Sequence, residues 1–417
     1  MPVIHIVGAG LAGLSAAVSL AEGGKRVVLH EAAAQAGGRC RSLLDSRLKC
    51  RIDNGNHLLM TGNRHTLAYL DAIGASDQVS GPVPAAYPFV DVGDARQWTV
   101  RPGRGRIPWW ILDPRRRVPQ TAPASYLSAL AVITAGESRT VEECVGRSGR
   151  LVTCFWEPMT VAILNTPLAE ASAGLLRQAL KRTLMKGESC CRPLVAGQSL
   201  SATFVDPALG YLARKGVDVR LSSRLCGLQT AAGRVERLDF ASNSITLVQG
   251  DSVILALPPL IAGDLVAGLE VPRKHQGIVN VHFRLPGPAV LPGGQSFVGV
   301  IGGMVQWIFV RDQVLSVTVS AANDMIRQPL DDIATTAWRD VAAVLDADPH
   351  SLPPWRVIKE RRATISQDPD TIAMRPGTRT AFNNMYLAGD WTDTGLPATI
   401  EGAVLSGKRA ARACEQT

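Results

Sequence analysis

The sequence predicts an α/β fold of two domains, one of which is assembled from segments at both ends of the chain. A chain of 417 residues is too long for one ordinary core. Its first 31 residues follow a β–α–β pattern, and a strand followed by a small-residue helix closes the chain at residues 384–413. Because two such segments lie so far apart, we expect the chain to return to its first domain after building a second one.

The composition is that of a folded protein with an anionic partner. Hydrophobic residues make up 46% of the chain and charged residues only 19%, with a formal net charge of +8. Nucleic-acid binders usually gather basic residues along a helix or groove, whereas the densest basic stretch here is irregular. We therefore predict a membrane surface rather than nucleic acid. Eight cysteines without a C-x-x-C pair indicate reduced thiols in the cytoplasm and no metal site.

The β–α–β unit contains a glycine motif with a physical use for each glycine. Gly8 permits a tight turn after the strand at residues 3–7, and Gly10 leaves room for a pyrophosphate. Gly13 allows the following helix to pack closely on the strand. The helix N-terminus offers unpaired N–H groups to phosphates. Glu31, after the second strand at residues 26–30, can accept hydrogen bonds from ribose hydroxyls, so a bound dinucleotide is predicted.

Four further segments resemble the superfamily of FAD-dependent amine oxidases and phytoene desaturases. They are G-G-R-C-R-S at residues 37–42, D-N-G-N-H at 53–57, G-D-W at 389–391 and G-L-P-A-T-I-E-G-A at 395–403. The resemblance implies that the cofactor is FAD. It also implies that Arg39 contacts the phosphates or the flavin, that Asp390 binds the ribitol chain, and that a helix beginning near Ala398 points its N-terminus at the flavin.

The resemblance, together with the glycine motif, implies a set of cofactor contacts. These contacts are Gly8, Gly10, Leu11, Ala12, Gly13, Glu31, Ala32, Gly38, Arg39, Asn56, His57, Leu225, Gly389, Asp390, Ala398, Thr399 and Ile400.

The implied architecture is a Rossmann-like FAD-binding domain with an inserted α+β substrate domain that contains an antiparallel sheet. Residues 217–221 and 253–259 read as buried strands of the first domain's sheet. We assign residues 1–85, 196–265 and 356–417 to the FAD-binding domain and residues 86–195 and 266–355 to the substrate domain. The uncharged run 285–310 is broken by prolines and is expected to form a loop and strands rather than a membrane span.

Three segments are similar to one branch of the superfamily, the squalene-associated FAD-dependent desaturases or hydroxysqualene dehydroxylases of bacterial hopanoid synthesis. These are L-N-T-P at residues 164–167, K-E-R-R-A-T at 359–364 and G-D-W-T-D-T-G-L-P at 389–397. Asn56 departs mildly from the Gln that we expect in most relatives. The resemblance implies removal of the allylic hydroxyl of hydroxysqualene to give squalene, with hydride from reduced flavin and an unidentified reductant.

The sequence is also compatible with other functions. A carotenoid-type desaturase would share the fold and reverse the electron flow, and an amine or protoporphyrinogen oxidase is a second alternative. A third is a prenyl-protein chaperone, which would not need the contact of Asp390 with the cofactor.

The catalytic group is less well marked than the cofactor site. His57 and Glu157 are the candidates for protonating the departing hydroxyl. Each has an ordinary alternative, a structural histidine and a helix cap. The apolar residues Phe297, Val298, Val300, Trp307, Ile308 and Phe309 could line a substrate tunnel or form an ordinary core.

Residues 98–118 interleave arginines with large apolar side chains. We predict that Trp98, Trp109, Trp110 and Arg115 contact the inner face of the cell membrane, from which a lipid-soluble substrate would be drawn. The alternative is a solvated loop whose tryptophans are buried in the substrate domain.

Overall fold

The computed structural model describes residues 2–416, which form twenty strands and eleven α-helices linked by turns and short 3₁₀ and π-helical segments. The strands are β1 (Val3–Val7), β2 (Arg26–His30), β3 (Ser42–Asp45), β4 (Cys50–Asp53), β5 (Leu59–Met60), β6 (Val79–Ser80), β7 (Tyr87–Asp91), β8 (Arg96–Val100), β9 (Pro193–Ala196), β10 (Asp218–Arg220), β11 (Leu225–Ala231), β12 (Arg234–Phe240), β13 (Ser244–Thr246), β14 (Ser252–Leu255), β15 (His275–Arg284), β16 (Phe297–Ile301), β17 (Trp307–Arg311), β18 (Val314–Val319), β19 (Trp355–Ile365) and β20 (Met385–Leu387). The α-helices are α1 (Leu11–Glu22), α2 (Arg64–Ala72), α3 (Ser128–Ile133), α4 (Val141–Val145), α5 (Glu157–Leu164), α6 (Ala173–Arg182), α7 (Asp206–Arg214), α8 (Pro259–Leu265), α9 (Leu330–Leu345), α10 (Pro369–Ala373) and α11 (Ile400–Glu415).

A five-stranded parallel sheet contains the β–α–β unit and the last strand of the chain. Its strand order is β10-β2-β1-β14-β20. Helices α1 and α11 pack together beside it, and their small residues permit close approach: a Cβ at Gly407 would lie 2.1 Å from the carbonyl oxygen of Ala12. The two ends of the chain therefore share one core, as the sequence predicted.

The two internal strands assigned to this sheet do belong to it, but only one is buried. Strand β14 is buried throughout and ends before Pro258 and Pro259, where helix α8 begins. Strand β10 pairs with β2 alone and is the exposed edge of the sheet. The prediction of a buried strand at 217–221 was therefore wrong. The alternation of apolar residues predicts a strand, but it does not show that the strand has a paired neighbour on one side only.

A seven-stranded, mainly antiparallel sheet forms the second layer, in the order β19-β15-β18-β17-β16-β7-β8. One face packs on α9 through Val298, Val300 and Ile308, so these residues form an ordinary core. The opposite face places Phe297 and Trp307 against the helices between α3 and α6.

The run 285–310 is a loop followed by β16 and most of β17, as predicted. Strand β19 pairs in this sheet, although our division assigns residues 356–365 to the FAD-binding domain.

Two of the three tryptophans between residues 98 and 118 are buried. Trp98 is 8% exposed and stacks on Phe89, with ring centroids 5.5 Å apart, and Trp110 is 9% exposed against Tyr126. They close the aromatic core under the seven-stranded sheet and are unavailable for membrane contact, contrary to the prediction. Trp109 is 67% exposed. Within residues 2–416, the helices are too short or too polar to cross a bilayer.

Candidate functional site

The glycine motif forms a turn at the carboxyl end of β1, and two of its glycines are required by the fold. Gly8 has φ +107°, and a Cβ there would lie 2.4 Å from the carbonyl oxygen of Ala256. A Cβ on Gly13 would lie 1.8 Å from the carbonyl oxygen of Gly8. A Cβ on Gly10 would meet no atom of the described residues within 4 Å. The turn therefore leaves open space above Gly10, beside the N-terminus of α1.

Glu31 lies next to this open space. Its carboxylate accepts hydrogen bonds from the backbone N–H groups of Ala9 at 2.8 Å and Ala33 at 2.9 Å. Its own carbonyl accepts from the N–H of Ser223, which precedes the buried Leu225 at the start of β11. Ala32 lies between Glu31 and the donor residue Ala33 in the chain. The backbone thus fixes the carboxylate of Glu31 beside the glycine motif.

Arg39 and Asp390 join the two ends of the chain. The Nη2 atom of Arg39 lies 2.6 Å from Oδ1 of Asp390, and Nη1 donates to the carbonyl of Ala363 at 2.5 Å. The Asp390 charge raises the pKa of Arg39 and keeps it cationic. Asp390 is buried, while the side chain of Arg39 is 45% exposed. A Cβ on Gly38, which precedes this arginine, would lie 3.3 Å from the Cα atom of Gly10.

A buried arginine that no sequence motif contained holds the loop around Asp390. Arg375 donates to the carbonyls of Leu396 at 2.8 Å and Asp390 at 3.0 Å, and also to the carbonyl of Thr392. Because it binds backbone carbonyls more than ten residues away, its role depends on tertiary contacts that the sequence does not display. It shapes the loop that carries Gly389 and Asp390.

The N-terminus of α11 presents two unpaired donors. Thr399 is its N-cap, and its hydroxyl accepts the N–H of Gly402 at 3.3 Å. Among residues 2–416 the N–H groups of Ile400 and Glu401 have no acceptor. The N–H of Ala398 donates to Gln367 at 2.8 Å, so any cofactor contact of Ala398 would use other atoms. A helix N-terminus of this kind favours a negative charge placed before it.

The D-N-G-N-H segment is fastened to the seven-stranded sheet. Asn56 donates through Nδ2 to the hydroxyl of Thr318 at 3.0 Å, and that hydroxyl donates to Asn280 at 2.8 Å. Asn280 in turn donates to the carbonyl of Asn54 at 3.1 Å. This chain of hydrogen bonds fixes the segment that precedes His57. Asn56, Phe309 and Ser316 border a cavity of about 20 Å³ between segment and sheet.

The two catalytic candidates occupy different environments. His57 is half-buried, and its side chain makes no hydrogen bond within residues 2–416. Burial lowers its pKa to about 4, Asp53 opposes this shift and Arg39 adds to it, so the imidazole is neutral at pH 7. Glu157 is the exposed first residue of α5 and is not held by another side chain of the described residues. Its position gives no support to a catalytic role, which stays a prediction.

Three of the segments described above meet around Arg39, namely residues 164–167, 359–364 and 389–397. Asn165 of the L-N-T-P segment donates to the hydroxyl of Thr364 at 3.0 Å, and its Oδ1 accepts the N–H of Ala321 at 2.7 Å. Ala363, next to Thr364, accepts from Arg39, which pairs with Asp390 in the third segment. The structure therefore brings together segments whose residues Asn165 and Asp390 are 225 positions apart in the chain (390 minus 165).

The arrangement suits an elongated anionic dinucleotide. Open space lies beside the N-terminus of α1 at Gly10, Glu31 stands at one end, and Asp390 with the free donors of α11 stands at the other. These groups lie at the carboxyl ends of parallel strands, where ligands bind in open α/β sheets. The predicted contacts near both chain ends are thus brought to one edge of the five-stranded sheet.

Comparisons with known proteins show the family of this chain. The family model of flavin-containing amine oxidoreductases matches residues 11–414. The chain is 43% identical to a hydroxysqualene dehydroxylase of Sinorhizobium fredii, over 98% of this chain and 97% of the relative. It is 41% identical to a hydroxysqualene dehydroxylase of Rhodopseudomonas palustris, again over 98% and 97%. Among solved structures, a cyclohexylamine oxidase from Brevibacterium oxydans matches with a TM-score of 0.71 at 13% identity, over 99% of this chain and 98% of that one, and supports the fold alone.

Proposed function

This chain belongs to the family of flavin-containing amine oxidoreductases, and on that premise we propose that it is an FAD-dependent hydroxysqualene dehydroxylase. The observation that carries the proposal is identity of more than 40% with hydroxysqualene dehydroxylases over nearly the full length of both chains. The enzyme removes the allylic hydroxyl of hydroxysqualene and forms squalene. FAD, when bound and reduced, supplies the hydride from its N5 atom.

The residues at the edge of the parallel sheet fit FAD. The N-terminus of α1 and the space above Gly10 would take the pyrophosphate, and Glu31 would bind the adenosine ribose. The carboxylate of Asp390, oriented by Arg39, would accept from the ribitol hydroxyls. The open N–H groups at the start of α11 would face the end of the flavin ring that becomes negative on reduction.

Loss of the hydroxyl requires a donor near the reacting carbon. His57 is the better placed of the two candidates, because it follows the segment that the seven-stranded sheet fixes through Asn56. With its pKa at about 4, His57 is neutral and would donate a hydrogen bond to the departing oxygen. The proton with which that oxygen leaves as water would come from solvent. Glu157, exposed at the start of α5, would act only if the substrate passes that helix.

We also propose that the protein docks on the inner face of the cell membrane. Support comes from exposed apolar side chains in one region of the substrate domain: Trp109 is 67% exposed, Ile107 58% and Leu112 56%. The Trp110–Tyr126 ring contact brings the helix of residues 123–127 beside them, where Leu127 is 63% exposed. The same stretch contains four exposed arginines that would face anionic headgroups: Arg101, Arg104, Arg106 and Arg115.

An unidentified reductant must return the flavin to its reduced form.

The test is turnover of the purified holoenzyme under anaerobic conditions. The protein should be yellow from bound FAD, and after chemical reduction it should convert hydroxysqualene into squalene, identified by mass. Loss of hydroxysqualene without squalene would contradict the proposal. A carotenoid-type desaturase would instead act on a saturated stretch of an isoprenoid with oxidised flavin, and formation of a new double bond would favour that alternative.

A further inference from the structure

Gln367 is a fully buried amide in the turn after β19, outside every motif described above. Its side chain has 0% exposure and both of its polar atoms are satisfied. The Nε2 atom donates to the carbonyl of Leu164 at 2.6 Å, and Oε1 accepts the N–H of Ala398 at 2.8 Å. A buried amide placed between two specific backbone groups fixes their separation. Among the described residues, Ala398 is the partner whose N–H would lose its acceptor without the amide, which would cost free energy.

Both partners of Gln367 lie at helix ends, and the carbonyl of Leu164 also accepts from the hydroxyl of Thr166 at 3.0 Å. Leu164 is the last residue of α5, and its carbonyl belongs to the helix end that has no intrahelical donors. Ala398 lies just before the N-cap of α11. The amide therefore bridges the C-terminus of a substrate-domain helix and the N-terminus of the helix that we assign to the flavin.

The backbone of Gln367 strengthens the bridge on the substrate-domain side. Its N–H donates to the hydroxyl of Thr166 at 3.0 Å, and its carbonyl accepts the N–H of Ser172 at 2.8 Å. Three of its four polar groups thus bind residues 164–172, which contain the L-N-T-P segment. Only the bond to Ala398 reaches α11, so this bond sets the position of the helix start relative to the L-N-T-P segment.

We propose that Gln367 is a positioning residue that holds the free N–H groups of Ile400 and Glu401 toward the flavin ring and so favours its reduced state. The inference rests on the proposed function, since the direction of α11 matters only if a flavin lies before it. Reduction places negative charge on the ring, and aligned donors stabilise that charge more than the neutral oxidised ring. Gln367 acts through α11 and need not contact the flavin.

The sharpest perturbation is Gln367→Met, which keeps the length and bulk of the side chain and removes both hydrogen bonds. Gln276→Met is the matched control. Gln276 is 3% exposed on β15; its amide accepts from Asn323 at 2.6 Å and donates to the hydroxyl of Ser366 at 3.5 Å, without a bond to Ala398 or α11. Both variants lose a buried glutamine, so a general loss of stability would affect them alike.

The measurement is the midpoint potential of the bound flavin, with its visible spectrum. We expect Gln367→Met to lower the equilibrium constant for two-electron reduction about tenfold, which corresponds to about 30 mV. The control should retain the wild-type potential. An unchanged potential in Gln367→Met, or an equal shift in both variants, would overturn the inference. Neither result depends on squalene formation, so failure of the proposed reaction is recognised separately.

If Gln367→Met does not retain flavin, amide hydrogen exchange in the wild-type holoenzyme decides. The Ala398 amide should exchange slowly, because its acceptor is buried, and binding of FAD should slow the amides of Ile400 and Glu401 as well. Fast exchange at Ala398, or no effect of FAD on the two helix amides, would refute the positioning role.

Discussion

Two glycines of the same motif are expected to respond to alanine in opposite ways, because Gly13 makes room for the fold and Gly10 for the cofactor. A Cβ on Gly13 would lie 1.8 Å from the carbonyl oxygen of Gly8, which is backbone and cannot rotate away. Helix α1 would have to move from β1 by more than 1 Å to restore contact distance. Overpacking of this kind costs about 1–3 kcal/mol, and we expect Gly13→Ala to lie at the upper end, about 3 kcal/mol.

Gly10→Ala should leave the apoprotein as stable as the wild type. A Cβ there meets nothing within 4 Å, and the backbone has φ −74° and ψ 177°, which alanine adopts freely. The stiffer unfolded chain could even add about 0.4–1 kcal/mol to the free energy of unfolding. The new methyl group would occupy the space that we assign to the pyrophosphate, so the affinity for FAD should fall roughly tenfold or more, at about 1.4 kcal/mol for each factor of ten.

Urea unfolding of the two apoproteins and fluorescence titration with FAD measure both effects. Gly13→Ala should lose stability, and Gly10→Ala should lose only FAD affinity. Equal destabilisation of the two variants would show that the space above Gly10 is not free. Unchanged FAD affinity in Gly10→Ala would show that the pyrophosphate lies elsewhere.

The other predictions concern pH and membrane binding. Burial lowers the pKa of His30 from 6.5 to about 4, and His5 adds to the shift. As the pH falls, the unfolded chain therefore takes up a proton at this histidine before the folded protein does. The contribution of His30 should lower the free energy of unfolding by up to about 3 kcal/mol between pH 6.5 and about pH 4. Urea unfolding of wild type and His30→Leu across this pH range checks it, and an equally steep loss in the variant would contradict the assignment. Trp109→Ala with Leu112→Ala should weaken co-sedimentation with vesicles of phosphatidylglycerol and phosphatidylcholine at least tenfold, because each buried apolar side chain contributes about 1.5–3 kcal/mol. Leu44→Ala, at a leucine 78% exposed on the β3–β4 hairpin, is the matched control, and equal binding by all three proteins would refute docking through residues 107–112.

The parts of the fold that the sequence predicted well are those specified by local spacing. Gly8, Gly13 and the strands around them follow one another within 30 residues, and each has a steric reason that one sequence displays. Resemblance to a family assigned Arg39 and Asp390 to the same cofactor, but their ion pair was not predicted, since 351 positions separate the two residues in the chain.

The parts that sequence reasoning missed depend on contacts between distant segments. Gln367 and Arg375 act through backbone carbonyls and N–H groups, which have no residue signature. Trp98 and Trp110 lie in a stretch whose composition is typical of a membrane-facing surface, yet both are buried. The turn of residues 109–112 directs Trp110 inward and Trp109 outward. Apolar periodicity cannot distinguish these outcomes in a short irregular segment.

A single-turnover titration tests the central claim most directly. The holoenzyme, reduced and free of oxygen, is mixed with hydroxysqualene in excess, and flavin reoxidation is followed by absorbance while squalene is quantified. If this site delivers hydride to the carbon that loses the hydroxyl, one squalene forms for each flavin reoxidised. Squalene formed without reoxidation of the flavin, or reoxidation without squalene, would contradict the account.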